Sequence, residues 1–143
     1  MSRKRGWDDS QVYRTTKCLS ASGNGLMAGN YPGRFPNGFL KWIKEMGWWG
    51  HDRVYLCSGP VDDEEAIRVD IRPEARPTHL EDARNTSLEN ESADVVILDP
   101  PYTKLLAAKF YGTEKYYAGI NAFTKEAARI VRPGGLIVTL TYE

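Results

Sequence analysis

Residues 95–102 read VVILDPPY, an apolar run that ends in an acid, two prolines and an aromatic residue. Consecutive apolar residues rich in β-branched side chains are typical of a strand buried on both faces of a parallel sheet. Proline has no backbone N–H to donate to a sheet, so the two prolines end the strand directly after Asp99. The stretch therefore predicts a buried central strand with a carboxylate at its carboxyl end.

Four other short apolar runs accompany this strand. They read RVYLCSGP, AIRVDI, THLEDA and GLIVTLTY, and the segment FTKEAARIV before the last run has helical character. This alternation predicts an α/β fold with a mostly parallel, twisted sheet. Only SGPVDDEEA and RPEARP separate the first three runs. A parallel crossover needs about a dozen residues, so we expect both of these crossovers to be shortened to roughly one turn.

A helix is expected just before the first strand. In FPNGFLKWIKEM, the apolar residues Phe39, Trp42, Ile43 and Met46 recur at helical spacing, with a proline near the start and a glycine after the end. This pattern predicts a helix over residues 36–46.

The totals fit one globular domain. The chain has 143 residues, of which 41% are hydrophobic and 27% are charged, a composition typical of globular proteins. We assign residues 1–30, which are polar and contain clustered glycine and serine, to an irregular N-terminal segment and residues 31–143 to the domain. No apolar run approaches the roughly 18 residues that cross a bilayer, and the first residues do not form a secretory signal. We therefore expect a cytoplasmic protein without a membrane segment.

The net charge of the chain neither predicts nor excludes contact with nucleic acid. The 19 basic and 19 acidic side chains cancel, which argues against binding of nucleic acid by bulk charge, so any such contact must be local. The basic clusters that could make one are Arg3, Lys4 and Arg5, and Lys104, Lys109 and Lys115. Solvated surface charge explains most such clusters. Cys18 and Cys57 lie far apart without metal-ligand spacing, so we expect reduced thiols and no metal site.

Acids follow three successive apolar runs. Ligands of open parallel sheets bind outside the carboxyl ends of the strands, so these residues are the first candidates for function. Asp70 follows the second run, Glu81 and Asp82 lie at the third, and Asp99 follows the fourth. An acid at the tip of a second strand can accept hydrogen bonds from ribose hydroxyls, or it can cap the next turn. Asp82 taken alone fits a solvated loop acid.

The tetrapeptide DPPY at residues 99–102 offers acceptors rather than donors. Its prolines remove two N–H groups, which leaves the Asp99 carboxylate and the Pro100 carbonyl as acceptors. The NH₂ group of a nucleobase presents donors only, so it fits such a site with its lone pair turned toward an electrophile. Tyr102 adds an aromatic face for a base taken out of its stack. A proline-rich turn without function would explain the prolines, but not the acid and the aromatic residue.

With these residues, the chain resembles the DNA amino-methyltransferases, which use S-adenosylmethionine to methylate adenine at N6 or cytosine at N4. DPPY is similar to their catalytic tetrapeptide. EAARIVRPGGLIVTL is similar to the helix, turn and fifth strand of class I methyltransferases, with Pro133 expected to stop the helix. The resemblance spans residues 31–140 and implies a Rossmann-like class I methyltransferase fold, S-adenosylmethionine as cofactor and DNA as partner. The Asp form of the tetrapeptide favours adenine.

The resemblance also implies roles for individual residues. The catalytic residues would be Asp99, Pro100, Pro101 and Tyr102. The cofactor-binding residues would be Phe35, Pro36, Cys57, Ser58, Gly59, Asp70, Asp82 and Asp99. Lys104, Lys109 and Lys115 would contact nucleic acid. The turn CSGPVDDEE departs from the family, because it keeps one glycine where two or three are usual.

Two other functions and a partner surface stay open. The family fold normally continues with two more strands, which this chain lacks, so residues 136–141 are expected to form an exposed edge that pairs in a homodimer or with a separate specificity subunit, unless the chain is a fragment. The first alternative is an RNA guanine-N2 methyltransferase, which uses a similar loop. The second is an inactive methyltransferase-like module, favoured by the altered glycine turn and the shortened crossovers.

Overall fold

The computed structural model describes residue 35, residues 38–101, residue 108 and residues 120–140. Within these residues the sheet consists of β1 (Arg53–Leu56), β2 (Ile67–Asp70), β3 (His79–Leu80), β4 (Ala93–Leu98) and β5 (Val131–Thr139). The strand order is β3-β2-β1-β4-β5, and every neighbouring pair is parallel. The predicted α/β class is confirmed, and the sheet is parallel throughout rather than mostly parallel. This order is compatible with a Rossmann-like fold.

Within the described residues, two helices cover opposite faces of the sheet. Successive residues of a strand point to opposite faces, and Val54 and Tyr55 of β1 belong to two different core clusters. Helix α1 (Phe39–Glu45) packs in the cluster of Tyr55, and helix α2 (Ile120–Ile130) packs in the cluster of Val54. The helix expected over residues 36–46 is confirmed over Phe39–Glu45. No helix of the described ranges is long and apolar enough to span a bilayer.

Both early crossovers are short, as expected. Residues 57–66 return from β1 to β2 without a helix, and residues 71–78 contain only the 3₁₀ turn Pro73–Ala75. A crossover without a helix has no helical apolar stripe to pack on the sheet. The first crossover instead buries Val61 and Ala66 in the cluster of Tyr55, and polar contacts also hold it there.

A buried ion pair holds the first crossover to the sheet. Arg53, the first residue of β1, donates from Nε and Nη2 to the two carboxylate oxygens of Asp63 at 2.8 and 2.7 Å. The hydroxyl of Tyr55 donates to the same carboxylate at 2.8 Å. Arg53 also donates to the Gly50 carbonyl and lies over the ring of Trp49. Burial raises the pKa of Asp63, but the hydrogen bonds from Arg53 and Tyr55 outweigh it and keep this pKa below its ordinary value.

A second buried acid fixes the connection between β3 and β4. Glu126 of α2 accepts hydrogen bonds from the backbone N–H and the hydroxyl of Thr86 at 2.9 and 2.8 Å. Arg129 donates to Glu126 and to the Leu88 carbonyl. Burial raises the pKa of Glu126. The hydrogen bonds from Arg129 and Thr86 lower this pKa by a larger amount, so the net shift is downward. The segment that carries Asp82 is thereby tied to α2.

The expectation that Pro133 stops the last helix is wrong. Helix α2 ends at Ile130, where the N–H groups of Glu91 and Ser92 bind the carbonyls of Arg129 and Ile130 at 2.9 and 2.8 Å. These distant donors satisfy the carbonyls at the helix end, so the chain can leave the helix at that point. Residues 132–135, which read RPGG, instead form an irregularity within β5.

Candidate functional site

Backbone hydrogen bonds continue past the ends of the strands and align their tips. Ser58 N donates to Val69 O at 2.9 Å, Glu81 N to Asp70 O at 3.1 Å, and Asp99 N to Leu56 O at 3.3 Å. The residues that follow β1, β2, β3 and β4 therefore lie along one edge of the sheet. The acids Asp70, Glu81 and Asp99 share this edge, and their roles in binding stay predictions.

The strand order reverses between β1 and β4, whose carboxyl ends both lie at this edge. From β1 the chain moves to β2 and β3 on one side, and β4 lies on the other side of β1. In doubly wound sheets such a reversal opens a crevice outside the carboxyl ends of the two strands, where ligands bind. We use the name carboxyl-end cleft for this position in the sheet, which is defined by residues 57–59, Asp70 and 99–101 at the ends of β1, β2 and β4. Asp99 is partly exposed, whereas Pro100 and Pro101 are buried.

The turn after β1 is tight. Cys57 and Gly59 both have left-handed backbones, with φ of 58° and 54°. This conformation is uncommon for a residue with a side chain and is found where a turn is constrained by its surroundings. The Cys57 side chain packs into the core, and Ser58, which is fully buried, donates its hydroxyl to the Gly59 carbonyl. A ligand over this turn would meet backbone atoms rather than these two side chains.

Asp70 is buried and surrounded by donors. It is only 1% exposed, and its carboxylate accepts a hydrogen bond from Gly59 N at 2.8 Å, which joins the tips of β1 and β2. The other donors are the backbone and the guanidinium of Arg72. Asp70 thus lies at the predicted place, but protein donors already bind it.

Asp82 has the same kind of partner two residues later. Its carboxylate accepts hydrogen bonds from the backbone N–H and the Nε of Arg84, both at 2.9 Å. The side chain of Asp82 is 37% exposed. Burial raises the pKa of Asp82, but the hydrogen bonds and charge of Arg84 more than offset this, so the net shift is downward. The pattern Asp-x-Arg at residues 70–72 and 82–84 was the sequence signal for both arginines, which sequence reasoning missed.

Phe35 belongs to an aromatic cluster on the face covered by α1. It is 8% exposed, its ring stacks on Phe39 with centroids 5.0 Å apart, and it is tilted toward Tyr55 at 5.8 Å. Its described contacts are those of a core residue, and its predicted contact with a cofactor stays a prediction. The other site residues predicted from the sequence, Pro36, Tyr102, Lys104, Lys109 and Lys115, lie outside the described residues.

In the part of the chain that the structure describes, two cavities lie at the opposite edge of the sheet, where the strands begin. The cavity of about 250 Å³ is lined in part by Trp48, Trp49 and Arg132, and the cavity of about 300 Å³ in part by Arg53 and Glu65. Ion pairs that join the starts of strands border them. Doubly wound sheets bind ligands at the carboxyl ends instead. We therefore place the candidate site in the carboxyl-end cleft.

One of these ion-pair groups is centred on Arg132. Its guanidinium binds Asp52 at 2.7 Å and Asp94 at 2.6 Å. The hydrogen bond from Arg132 lowers the pKa of Asp52. The backbone N–H of Asp52, followed by Arg132, lowers the pKa of Asp94. The contacts of this group join the starts of β1 and β4 to the irregular part of β5.

The carboxyl-end cleft combines a partly exposed carboxylate with two prolines that have no N–H donors. Carboxylate and carbonyl oxygens accept hydrogen bonds, and amino and hydroxyl groups are the common donors to them. Comparison of the chain with protein-family models, curated proteins and solved structures finds no match.

Proposed function

We propose that the protein transfers a methyl group from S-adenosylmethionine to the exocyclic amino group of a DNA base, with adenine N6 favoured. The observation that carries this proposal is the position of residues 99–101, which directly follow β4 where the strand order β3-β2-β1-β4-β5 reverses. A site with acceptors and few donors at this point suits an NH₂ group. Asp82 near the tip of β3 adds a partly exposed carboxylate, whereas the Asp70 carboxylate at the tip of β2 is bound by Gly59 and Arg72.

The acids at the ends of β2 and β3 suit this cofactor in two respects. Asp70 lies at the tip of β2, where an acid accepts hydrogen bonds from ribose hydroxyls, and it is joined through Gly59 N to the turn that borders the cleft. Asp82 offers a partly exposed carboxylate for the amino group of the cofactor adenine. When bound, S-adenosylmethionine supplies a methyl group on a sulfonium, whose carbon–sulfur bond breaks with both electrons left on sulfur.

Asp99 has two tasks in this proposal. Its carboxylate and the Pro100 carbonyl accept hydrogen bonds from the two N–H groups of the base, which points the nitrogen lone pair at the methyl group. As the nitrogen–carbon bond forms, positive charge grows on the nitrogen, and the Asp99 carboxylate stabilises that charge. One N–H proton then leaves to water, so the methylated base ends neutral. Pro100 and Pro101 themselves carry no N–H that could donate to Asp99.

An inactive module that binds a partner or nucleic acid is the second candidate. The observation that favours it is Asp70, whose carboxylate is bound by Gly59 and Arg72. The first crossover also lacks the helix that would lie beside a cofactor. Fold alone does not establish activity.

The test combines a transfer assay with a binding assay. The protein is incubated with S-adenosylmethionine labelled in its methyl group and with unmodified DNA or RNA, and the nucleosides are then analysed. Label in N6-methyladenine from DNA is the expected result. Label in N2-methylguanine from RNA would move the assignment to the RNA alternative. Absence of transfer, together with no calorimetric binding at millimolar cofactor, would leave the inactive module.

A further inference from the structure

The Asp70 carboxylate has no acceptor position left over. A carboxylate offers about four lone-pair positions, two on each oxygen. Oδ1 accepts from the backbone N–H of Arg72 at 2.9 Å and from its Nε at 3.1 Å. Oδ2 accepts from Gly59 N at 2.8 Å and from Nη2 of Arg72 at 3.3 Å. Each oxygen therefore has one backbone donor and one guanidinium donor.

These two kinds of donor differ in how readily they can leave. The N–H groups of Gly59 and Arg72 belong to the backbone of the turns that follow β1 and β2, so moving them would reshape both turns. The guanidinium lies at the end of a side chain that can rotate. If it swings away, one acceptor position becomes available on each oxygen, and both backbone hydrogen bonds remain.

A ribose needs that same pair of positions. Its neighbouring 2′ and 3′ hydroxyls donate one hydrogen bond each, and a carboxylate receives them with one bond on each oxygen. A guanidinium presents two N–H donors in a planar fork to the same two oxygens. The Arg72 side chain covers the acid as well, since it is 11% exposed and the Asp70 side chain is 1% exposed. The guanidinium and a ribose diol therefore cannot occupy Asp70 together.

We propose that Arg72 occupies the ribose-diol position of the cofactor site and sets the cofactor affinity, because it must leave Asp70 before the cofactor can bind. This inference rests on the proposed function. The apparent dissociation constant rises in inverse proportion to the fraction of molecules in which Arg72 has already moved away. Removing the fork should then tighten binding, although a positive side chain has been lost.

The test compares Arg72→Met with Arg76→Met. Methionine keeps an unbranched apolar stem at position 72 and removes the fork. Arg76 is exposed in the same crossover and makes none of the hydrogen bonds to Asp70 described above, so its replacement controls for lost charge. Titration calorimetry with S-adenosylmethionine should show Arg72→Met binding about tenfold or more tightly than the wild type. The Arg76→Met protein should match the wild type.

A second ligand separates competition from a general change in the site. A cofactor analogue without the 2′ and 3′ hydroxyls does not compete for Asp70, so it should bind the wild type and Arg72→Met with about equal affinity. Arg72→Lys keeps the positive charge but lacks the planar pair of N–H donors, so it should bind the cofactor with intermediate affinity. If Arg72→Met does not fold, the same comparison is made with Arg72→Lys.

Three results would overturn the inference. If the cofactor binds the wild type and binds Arg72→Met equally or more weakly, Arg72 does not block the site, and the proposed function stands. If Arg72→Met tightens binding of the analogue as much as it tightens binding of the cofactor, then Arg72 does not act by excluding the ribose hydroxyls. If the cofactor binds none of the folded variants at millimolar concentration, the proposed function fails together with the inference.

Discussion

Replacing Asp63 by alanine tests how a crossover without a helix is held on the sheet. Arg53 is 5% exposed and Asp63 7% exposed, and removing one partner of a buried ion pair typically costs about 3–5 kcal/mol because the other charge stays buried. Arg53 would keep the Gly50 carbonyl at 2.8 Å, the Trp49 ring at 4.0 Å and the exposed Glu65 carboxylate at 3.8 Å. We therefore expect the lower part of that range, about 3–4 kcal/mol.

Urea denaturation followed by circular dichroism measures this loss. With a slope of about 2 kcal/mol per M, a loss of about 3–4 kcal/mol lowers the urea midpoint by roughly 1.5–2 M. Tyr55→Phe removes one donor to Asp63 but leaves the ion pair, so it should cost about 1 kcal/mol. Asp62→Ala removes an exposed acid next to Asp63 and should change stability by less than about 0.5 kcal/mol.

Acid should narrow the difference in unfolding free energy between the wild type and Asp63→Ala. The pKa of Asp63 is lower in the folded protein than in the unfolded chain, so its contribution is complete above the unfolded pKa of about 3.9. It is lost as the pH falls through the lower, folded value. The gap between the two urea midpoints should be constant near neutral pH and narrow below about pH 4.

A loss of less than about 1 kcal/mol in Asp63→Ala would refute this reasoning, because the crossover would then not depend on the ion pair. A further check replaces both partners by apolar residues. Arg53→Met combined with Asp63→Leu leaves no buried charge unpaired, so the double variant should be more stable than Asp63→Ala. If it is less stable, the loss comes from packing instead.

Two further predictions concern β5. A Cβ at Gly135 would lie 2.7 Å from the Asp94 carbonyl oxygen and from a Val131 methyl group, so Gly135→Ala should cost about 1–3 kcal/mol in urea denaturation; an unchanged midpoint would contradict the close approach. The edge at residues 136–141 is proposed to pair with another chain. Light scattering should therefore detect a dimer at high concentration that Thr139→Lys shifts to monomer. A wild type that stays monomeric would refute this pairing.

The sheet could be predicted from the sequence because buried parallel strands leave a local signal. VVIL in β4 is a continuous apolar run, and even the two residues of β3 were located within THLEDA. Chain length between the runs also predicted the short crossovers, since no helix fits between Asp70 and His79. Each of these features depends on residues that are close together in the chain.

The features that could not be predicted depend on residues that meet only in the folded chain. Helix α2 ends where Glu91 and Ser92 reach its last carbonyls, and nothing near Pro133 in the sequence indicates those donors. Arg53 meets Asp63 only because the crossover follows a particular path. That path is in turn held by this ion pair, so neither could be predicted from the sequence first. Arg72 had a local signal, but the spacing Asp-x-Arg does not show which acceptor positions the guanidinium takes.

Asp99→Ala tests the central claim most directly, because it removes the carboxylate at the point where the strand order reverses. The assay measures methyl transfer from labelled S-adenosylmethionine to unmodified DNA, with circular dichroism to verify the fold and Asp62→Ala as the control. In the proposed mechanism Asp99 orients the amino group and stabilises the developing charge, so its loss should lower the rate by at least about a hundredfold. The control should match the wild type. An Asp99→Ala protein that is folded and transfers methyl groups at close to the wild-type rate would contradict the account.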